Sequence, residues 1–174
     1  MSHLTHLYCA MSELRFVDGI RNVGLREYAL IDQSLTAEII ADNRHIPPML
    51  ARMILQAKGC ERVAVVSDSL RCCGMPEGEY ELGGQRIRLK DGLARLLDGT
   101  VAGSATPLFD AMVNAIRFGI PEADAIRAAT FNPACALGVQ SRVGSIAPGK
   151  LADFIICRSD YTGKRVFLGG QEIV

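Results

Sequence analysis

The sequence predicts an α/β fold in which a parallel sheet is joined to a smaller antiparallel part. Short apolar segments alternate with amphipathic ones over residues 4–67, which is typical of strand–helix–strand units with parallel strands. The segment Val63–Val66 is apolar throughout and rich in valine, as expected of a strand buried on both faces. Gly-Gly and Asp-Gly pairs over residues 78–99 separate short alternating segments, which predicts antiparallel hairpins.

The first 67 residues are predicted to alternate between strand and helix. The expected strands are 4–9, 36–41 and 62–67, and the expected helices are 24–33 and 48–57. Pro47 and Pro48 suit the entry to the second helix, because proline fits the first helical turn. Gly59 is expected to end that helix, since glycine readily adopts the left-handed backbone common at helix ends.

The second half is predicted to return to helix and to end in strands. A helix over 106–118 is expected to be capped by Thr106, with Pro107 in its first turn. A second helix is expected from Pro121 to Thr130, and a short third one from Asn132 to Gly138. The expected tail strands are 152–157, 164–168 and 171–174.

The composition excludes several classes of function. Charged residues make up 22% of the chain and the formal net charge is zero, so no basic surface for nucleic acid is expected. The longest apolar runs are far too short to span a bilayer, which argues against a membrane partner. Six cysteines are scattered through apolar segments without a C-x-x-C pair, which is typical of reduced thiols in a cytoplasmic protein.

Three polar positions are assigned to the C-terminal ends of predicted parallel strands: His6, the corner from Asp42 to His45, and Asp68. The carboxyl ends of parallel strands meet at one edge, where barrels of parallel strands carry their active sites. We therefore expect these side chains to converge. Histidine nitrogen is a common metal ligand, and a carboxylate after a buried strand is costly unless it is paired. Structural readings stay open at this point, because Asp68 also fits a turn and His45 a helix start.

Local motifs at these positions resemble those of N-acetylglucosamine-6-phosphate deacetylases, which are metal-dependent amidohydrolases. Thr5–Met11 is similar to the family motif T-H-L-F/Y-N-A-M, and Ile40–His45 to I-A-D-G-x-H. Ser67–Ser69 resembles T/S-D-A/S, and Gly99–Ser104 resembles the loop G-T-L/V-A/S-G-S. The tail contains N-P-A, L-G, G-x-I and G-x-x-A-D in the family's order. The resemblance covers nearly the whole chain but only the second half of the family pattern.

The resemblance implies the C-terminal part of a (β/α)8 TIM-barrel amidohydrolase. Residues 1–146 would form a partial barrel that carries the hairpins as an insertion. Residues 147–174 would supply the C-terminal strands of a small β-sandwich, whose other strands come from the N-terminal part of the family. The chain has 174 residues, whereas a complete barrel typically needs about 250.

The resemblance also implies roles for individual residues. His6 would ligate the divalent metal, zinc or iron, of the complete enzyme, although this chain alone need not retain it. Asp68 would take a proton from metal-bound water and pass it to the leaving amine. His45 would polarise the amide carbonyl. The remaining substrate-binding positions would be Cys9, Ala10, Asp42, Val101, Ala102 and Gly103.

The function implied is hydrolysis of the acetamide of an N-acetylated amino-sugar phosphate. Cys9 replaces the family's asparagine that helps bind phosphate, and residues 15–24 give no clear match to its R-x-P-G loop. The pattern's first metal histidine and its metal-ligating glutamate are missing, so we expect the isolated chain to be inactive. Two alternatives remain: a catalytically incomplete split-gene or binding fragment, and an amidohydrolase that acts on a different amide or a cyclic amide. Besides the substrate, the expected partner is a second copy in a homodimer or the missing N-terminal half.

Overall fold

The computed structural model describes residues 3–173 and contains strands and helices in mixed order. The helices are α1 (Leu25–Ile31), α2 (Pro48–Lys58), α3 (Leu108–Arg117), α4 (Glu122–Ala129) and α5 (Phe131–Ala136). The strands are β1 (His3–Leu4), β2 (Arg15–Val17), β3 (Ile20–Asn22), β4 (Thr36–Ile40), β5 (Val63–Val66), β6 (Gly78–Leu82), β7 (Gln85–Lys90), β8 (Leu93–Leu96), β9 (Val101–Ser104), β10 (Phe154–Ile156), β11 (Arg165–Leu168) and β12 (Gln171–Glu172).

The centre of the fold is a parallel sheet with the strand order β1, β4, β5. Leu4 pairs with Ala37, and Ala37 pairs in turn with Val63, so the three strands start in register. Helix α1 precedes β4 and α2 connects β4 to β5, which confirms the predicted alternation of strand and helix. Gly59 ends α2 with a φ of 78°, as the sequence predicts.

The first strand is shorter than expected. It ends at Leu4 rather than at residue 9, because His6, Tyr8 and Ala10 all adopt positive φ and break the extended conformation. The segment still lies beside β4, since the Leu7 amide donates to the Glu38 carbonyl at 2.8 Å. His6 is therefore on a turn just beyond the strand.

The hydrophobic core lies between the parallel sheet and its helices. It includes Ile39, Ile54, Val65 and Ala111, all of which are almost completely buried. The side-chain amide of Asn132 donates to the carbonyls of Cys60 at 2.6 Å and Val63 at 2.7 Å. These two hydrogen bonds connect α5 to the start of β5, and they explain why the N-P-A motif begins with an asparagine.

The predicted hairpin region forms a four-stranded antiparallel sheet with the order β6, β7, β8, β9. One face buries Ile87, Leu89 and Ala94 with Cys72, and the other face is charged. The segment expected as a loop, Gly99–Ser104, largely forms strand β9, because residues from Val101 onward pair with β8. Ser104 then bridges in parallel to Ser69, so this sheet continues from the corner that follows β5.

The helix after β9 begins later than predicted. Pro107 is its N-cap residue and α3 starts at Leu108, so Thr106 does not cap it. The Thr106 amide instead donates to the Ser104 hydroxyl at 3.0 Å, which keeps the chain extended up to Pro107. Extended backbone is also what a residue before proline prefers.

The tail forms a separate three-stranded antiparallel sheet, β10–β11–β12. The rings of Phe154 and Phe167 stack across it with centroids 4.7 Å apart. Ile155, Ile156 and Leu168 remain about half exposed. The predicted strand 171–174 is observed at Gln171–Glu172, while Val174 lies outside the described residues. Among helices of the described range, none has the length and apolar character to cross a membrane.

Candidate active site

The carboxyl ends of β1, β4 and β5 lie at one edge of the parallel sheet, and His6, Asp42 and Asp68 follow them within two residues. The predicted site residues are thus brought to the same edge. His6, Asn43 and Asp68 have φ values of 34°, 60° and 47°. Left-handed backbone at residues other than glycine costs about 1–3 kcal/mol each and clusters at functional sites. Asn43, which stands where the family pattern has glycine, tolerates this conformation comparatively well.

Asp42 and His45 form a buried ion pair at this edge. The His45 ring nitrogen Nδ1 lies 2.7 Å from Asp42 Oδ2, and the two side chains are 11% and 0% exposed. The other carboxylate oxygen, Oδ1, accepts the backbone amides of Arg44 and His45, each at 2.8 Å. An ionised carboxylate can only accept, so Nδ1 carries the proton and donates it. The arrangement fixes the His45 ring and leaves Nε2 for another partner.

The charges of this pair stabilise each other. Burial alone would raise the pKa of Asp42, but hydrogen bonds from the His45 side chain and from two backbone amides bring that pKa below its ordinary value. The hydrogen bond to Asp42 raises the pKa of His45 above its ordinary value, while burial opposes the rise. The negative charges of Asp42 and Asp68 add to the rise.

Cys9 and Asp68 face the same space as this pair. Burial raises the pKa of the Cys9 thiol, and the charges of Asp68 and Asp42 raise it further. Cys9 therefore stays a neutral thiol at this edge and is unsuited to act as a nucleophile. Its amide donates to the His6 carbonyl at 2.9 Å, which closes the turn after β1. Ala10 follows in the same turn and is exposed.

His6 and His3 are both anchored by Glu38, a residue that sequence reasoning missed. The His6 amide lies 3.2 Å from Glu38 Oε2, and His3 Nε2 lies 2.8 Å from Glu38 Oε1. A carboxylate in the middle of the buried segment Thr36–Ile40 is costly unless paired, and that was the available signal. His3 thus has a structural partner in Glu38.

His6 is the predicted metal ligand, and the structure shows which side chains near it could hold a metal ion. His6 Nδ1 is buried without a hydrogen-bond partner and is therefore free to bind a ligand, although His3 Nδ1 is in the same state. However, residues 3–173 contain no group of three or more His, Cys, Asp or Glu side chains arranged to hold a metal ion. Catalytic zinc sites usually have three protein ligands. The described residues therefore offer one candidate ligand and do not form a complete metal site.

Strand β9 contributes to the same edge through its last residues. The Ser104 amide donates to the Asp68 carbonyl at 3.1 Å. A Cβ atom at Gly103 would come within 2.9 Å of a Leu70 methyl group, and the φ of 151° is one that other residues rarely adopt, so both features favour glycine where β9 approaches the segment after β5. Ala102 packs into the core of the antiparallel sheet and Val101 is 41% exposed. Gly103 is therefore the predicted β9 residue that lies nearest to Asp68.

A large surface groove lies away from this edge. It has a volume of about 1750 Å³ and is lined mainly by apolar residues of α4, α5 and the tail sheet. None of the predicted site residues lines it. A smaller groove of about 380 Å³ begins at Arg44, beside the Asp42–His45 pair.

Comparison with known sequences gives a consistent assignment. Residues 2–173 match the model of the amidohydrolase family. An N-acetylglucosamine-6-phosphate deacetylase of Bacillus subtilis (strain 168) is 36% identical over 160 residues, which is 91% of this chain and 39% of that protein. An Escherichia coli (strain K12) protein, provisionally named as an N-acetylgalactosamine-6-phosphate deacetylase, is 31% identical over 95% of this chain and 97% of its own length.

Solved structures are similar over nearly the whole chain. The N-acetylglucosamine-6-phosphate deacetylase of Pasteurella multocida has a TM-score of 0.89 at 26% identity, with 99% of this chain and 44% of that one covered. A mutant of the Mycobacterium smegmatis deacetylase, in complex with N-acetyl-D-glucosamine-6-phosphate, has a TM-score of 0.86 at 32% identity, with 98% and 45% covered.

The matches cover nearly all of this chain but less than half of several of the full-length deacetylases. The chain spans about two fifths of the length of the Bacillus subtilis deacetylase and 44% of the Pasteurella multocida chain. These findings confirm the resemblance drawn from the motifs, including its restriction to part of the deacetylase sequence. By the match over residues 2–173 and by these relatives, the chain belongs to the amidohydrolase family and corresponds to part of its N-acetyl amino-sugar 6-phosphate deacetylases.

Proposed function

We propose that this chain forms the portion of an N-acetyl amino-sugar phosphate deacetylase that orients the substrate amide and moves its proton. The observation that carries the proposal is that the Asp42–His45 pair and Asp68 follow neighbouring parallel strands at the same edge of the sheet. Relatives named as deacetylases of N-acetylglucosamine 6-phosphate and N-acetylgalactosamine 6-phosphate favour an amino-sugar phosphate as substrate.

His45 is the group that orients the amide. Asp42 holds Nδ1, so Nε2 is the ring nitrogen that remains for the substrate, and Asp68 lies near enough to raise the pKa of His45. In its protonated form, which the raised pKa favours, Nε2 donates a hydrogen bond to the acetamide carbonyl oxygen. Negative charge that develops on this oxygen during attack by water is thereby stabilised.

Asp68 is the group that moves the proton. Its carboxylate accepts a proton from the attacking water and delivers it to the amine as the carbon–nitrogen bond breaks, which gives acetate and the free amino sugar. Its backbone is fixed from both sides, since the Asp68 carbonyl accepts the Ser104 amide and the Leu70 amide donates to the Ser104 carbonyl. A rigid corner suits a group that must meet both the water and the leaving amine.

We assign His6 one ligand position for a divalent metal, because it is the histidine of the Thr5–Met11 motif and its Nδ1 has no hydrogen-bond partner. The described residues do not complete such a site, so its other ligands have to come from polypeptide outside residues 3–173. When bound in a complete site, a divalent metal in this superfamily would activate water and polarise a carbonyl. No step above is assigned to it.

The domain division follows the same proposal. Residues 1–146 would form the partial barrel, with β6–β8 as an insertion before the barrel continues in β9. Residues 147–174 would supply strands of a small β-sandwich, because Ile155 and Leu168, which share one face of β10–β11, are about half exposed and leave an apolar surface there. Strands from elsewhere would cover this surface.

A second candidate is a catalytically incomplete piece that acts with a partner chain. The lack of a three-ligand metal group in residues 3–173 favours it. The Escherichia coli (strain K12) relative, which this chain covers over 97% of its length, is another chain of similar extent. This candidate predicts that the isolated chain folds but does not release acetate.

A chimera tests the proposal directly. This chain would replace the matched segment of the Bacillus subtilis deacetylase, to which it is 36% identical. We expect the chimera to release acetate from N-acetylglucosamine 6-phosphate and the chain alone to release none. A chimera that melts cooperatively and retains bound metal, yet releases no acetate, would contradict the proposed function.

A further inference from the structure

The turn after β1 has an unfavourable backbone conformation. His6, Tyr8 and Ala10 all have positive φ, with values of 34°, 75° and 49°. Residues other than glycine rarely adopt this region, and they stay in it only where the surrounding structure determines their conformation. The turn therefore depends on groups outside itself that keep it in place.

One residue of the neighbouring strand β4 contacts two successive amides of this turn. The backbone carbonyl of Glu38 accepts the Leu7 amide at 2.8 Å. The side-chain carboxylate of Glu38 accepts the His6 amide through Oε2 at 3.2 Å. Leu7 is also held by the hydrophobic core, in which its side chain is completely buried. His6, in contrast, is held by the carboxylate of Glu38.

The Glu38 carboxylate is itself held from β1. His3 Nε2 lies 2.8 Å from Glu38 Oε1, while Oε2 remains for the His6 amide. The strand register allows this contact, because His3 pairs with Thr36 and Glu38 lies two positions further along β4 on the same face. The side chains of His3 and Glu38 are 29% and 20% exposed, so most of the contact is shielded from water. The carboxylate thus links β1 to the turn that follows it.

The neighbour of Glu38 on the other side has no polar side chain that could compete for the carboxylate. The residue directly opposite Glu38 on β5 is Ala64, which is almost completely buried. A carboxylate that is mostly shielded from water is stable only where hydrogen-bond donors satisfy it. Within residues 3–173, the groups that contact this carboxylate are the His3 ring and the His6 amide. Both belong to β1 and its turn.

We propose that Glu38 is a positioning residue for the candidate active site. Its carboxylate fixes the turn in the conformation that brings His6 and Cys9 to the carboxyl edge of the parallel sheet. Glu38 acts through the backbone of the turn and not on the substrate. A displacement of about 1 Å at a reacting site can lower a rate about 10²-fold, so a contact that fixes this turn affects the reaction. That the turn serves deacetylation rests on the proposed function, whereas the hold of Glu38 on the turn does not.

Amide hydrogen exchange of the whole chain, followed by NMR, tests this hold without an activity assay. We expect the His6 amide in Glu38→Ala to exchange with water about tenfold faster or more, because it loses its acceptor. Glu38→Gln should keep the slow exchange, since the glutamine oxygen can accept the amide and its nitrogen can donate to the other tautomer of His3. Glu81→Ala is the matched control, because Glu81 is an exposed strand residue whose carboxylate also accepts a backbone amide, that of Gly84.

Acetate release by the chimera with the Bacillus subtilis deacetylase tests the consequence for the reaction. In an active chimera, Glu38→Ala should lower kcat, corrected for the folded fraction, by about 10-fold to 10²-fold. Glu38→Gln should recover most of this loss, because it keeps an acceptor for the His6 amide. A residue that only stabilises the fold would reduce the folded fraction and leave the corrected kcat unchanged.

Three results would overturn the proposal: wild-type exchange of the His6 amide in Glu38→Ala, an unchanged corrected kcat in that variant, or equal losses of kcat in Glu38→Ala and Glu38→Gln. If Glu38→Ala does not fold, His3→Ala takes its place, because it removes the group that holds the carboxylate. Wild-type exchange of the His6 amide in His3→Ala would then overturn the proposal. An inactive parent chimera would count against the proposed function alone, since amide exchange in the chain itself still tests Glu38.

Discussion

Replacement of Asp42 by asparagine tests the ion pair that organises the candidate site. The Asp42 carboxylate is fully buried and accepts three hydrogen bonds, from the His45 ring and from the amides of Arg44 and His45. A hydrogen bond to a charged group contributes about 1.5–3 kcal/mol and a neutral one about 0.5–1.5 kcal/mol. The neutral amide keeps the two backbone contacts at lower strength and loses the ionic one. We therefore expect Asp42→Asn to lower the free energy of unfolding by about 3 kcal/mol.

The same substitution changes the titration of His45. The hydrogen bond to Asp42 is the main cause of the raised pKa of His45, and burial opposes it, so the pKa should fall in Asp42→Asn. The raised pKa of His45 adds stability that is fully present below 6.5 and is lost as pH rises through the folded-state pKa. The lowered pKa of Asp42 adds stability that is present above 3.8 and is lost as pH falls through the folded-state pKa. The stability difference between wild type and variant should be largest between these two values.

Urea unfolding at several pH values and NMR titration measure both effects. The chain has only three histidines, so the His45 signal can be assigned by substitution. Asp110→Asn is the control, because Asp110 is 50% exposed and its contact with Lys164 is long, at 3.6 Å. We expect that control to change stability by less than about 0.5 kcal/mol. An Asp42→Asn variant with unchanged stability and an unchanged pKa of His45 would refute the ion pair.

Three further predictions concern the fold around the site. Asn132→Ala should lower the free energy of unfolding in urea by about 2–3 kcal/mol, because the carbonyls of Cys60 and Val63 lose their hydrogen-bond donor. A decrease below about 0.5 kcal/mol would contradict this role of Asn132. Gly103→Ala should lower the free energy of unfolding by about 1–3 kcal/mol, because its Cβ would press on Leu70 and its φ is 151°. The control Gly84→Ala, whose Cβ would meet open space, should lower the free energy of unfolding by less. Equal losses would argue against the close approach of β9. The chain should self-associate through the β2–β3 hairpin, where Phe16 and Ile20 are 62% and 67% exposed, as measured by sedimentation. The double variant Phe16→Ser/Ile20→Ser should associate more weakly. A monodisperse monomeric wild type would count against association through this hairpin.

The parallel part of the fold could be predicted because its signals are local. The valine-rich segment of β5 could only be a buried strand, and Pro48 and Gly59 mark the two ends of α2. Asp42 and Asp68 could be placed because each directly follows a predicted strand. A residue within two positions of a strand end lies at the edge of the sheet, so its location follows once the strand is predicted.

The errors arose where pairing partners, rather than local patterns, decide the structure. Gly99–Ser104 has the composition of a loop, yet most of it is a strand because β8 provides hydrogen-bond partners. The turn after β1 could not be predicted, since His6 and Tyr8 hold left-handed conformations that their residue types do not favour. The anchoring role of Glu38 depends on the register between β1 and β4, which no single segment encodes.

The most direct test of the account is the rate of acetate release by the chimera with Asp68→Asn. If Asp68 carries the proton between water and the leaving amine, the amide variant should lose about 10²–10⁴-fold in kcat. Its melting temperature and metal content should stay close to those of the parent chimera, because Asp68 is not assigned as a metal ligand. An Asp68→Asn chimera that releases acetate at the parent rate would contradict the central claim that this edge of the sheet carries the chemistry.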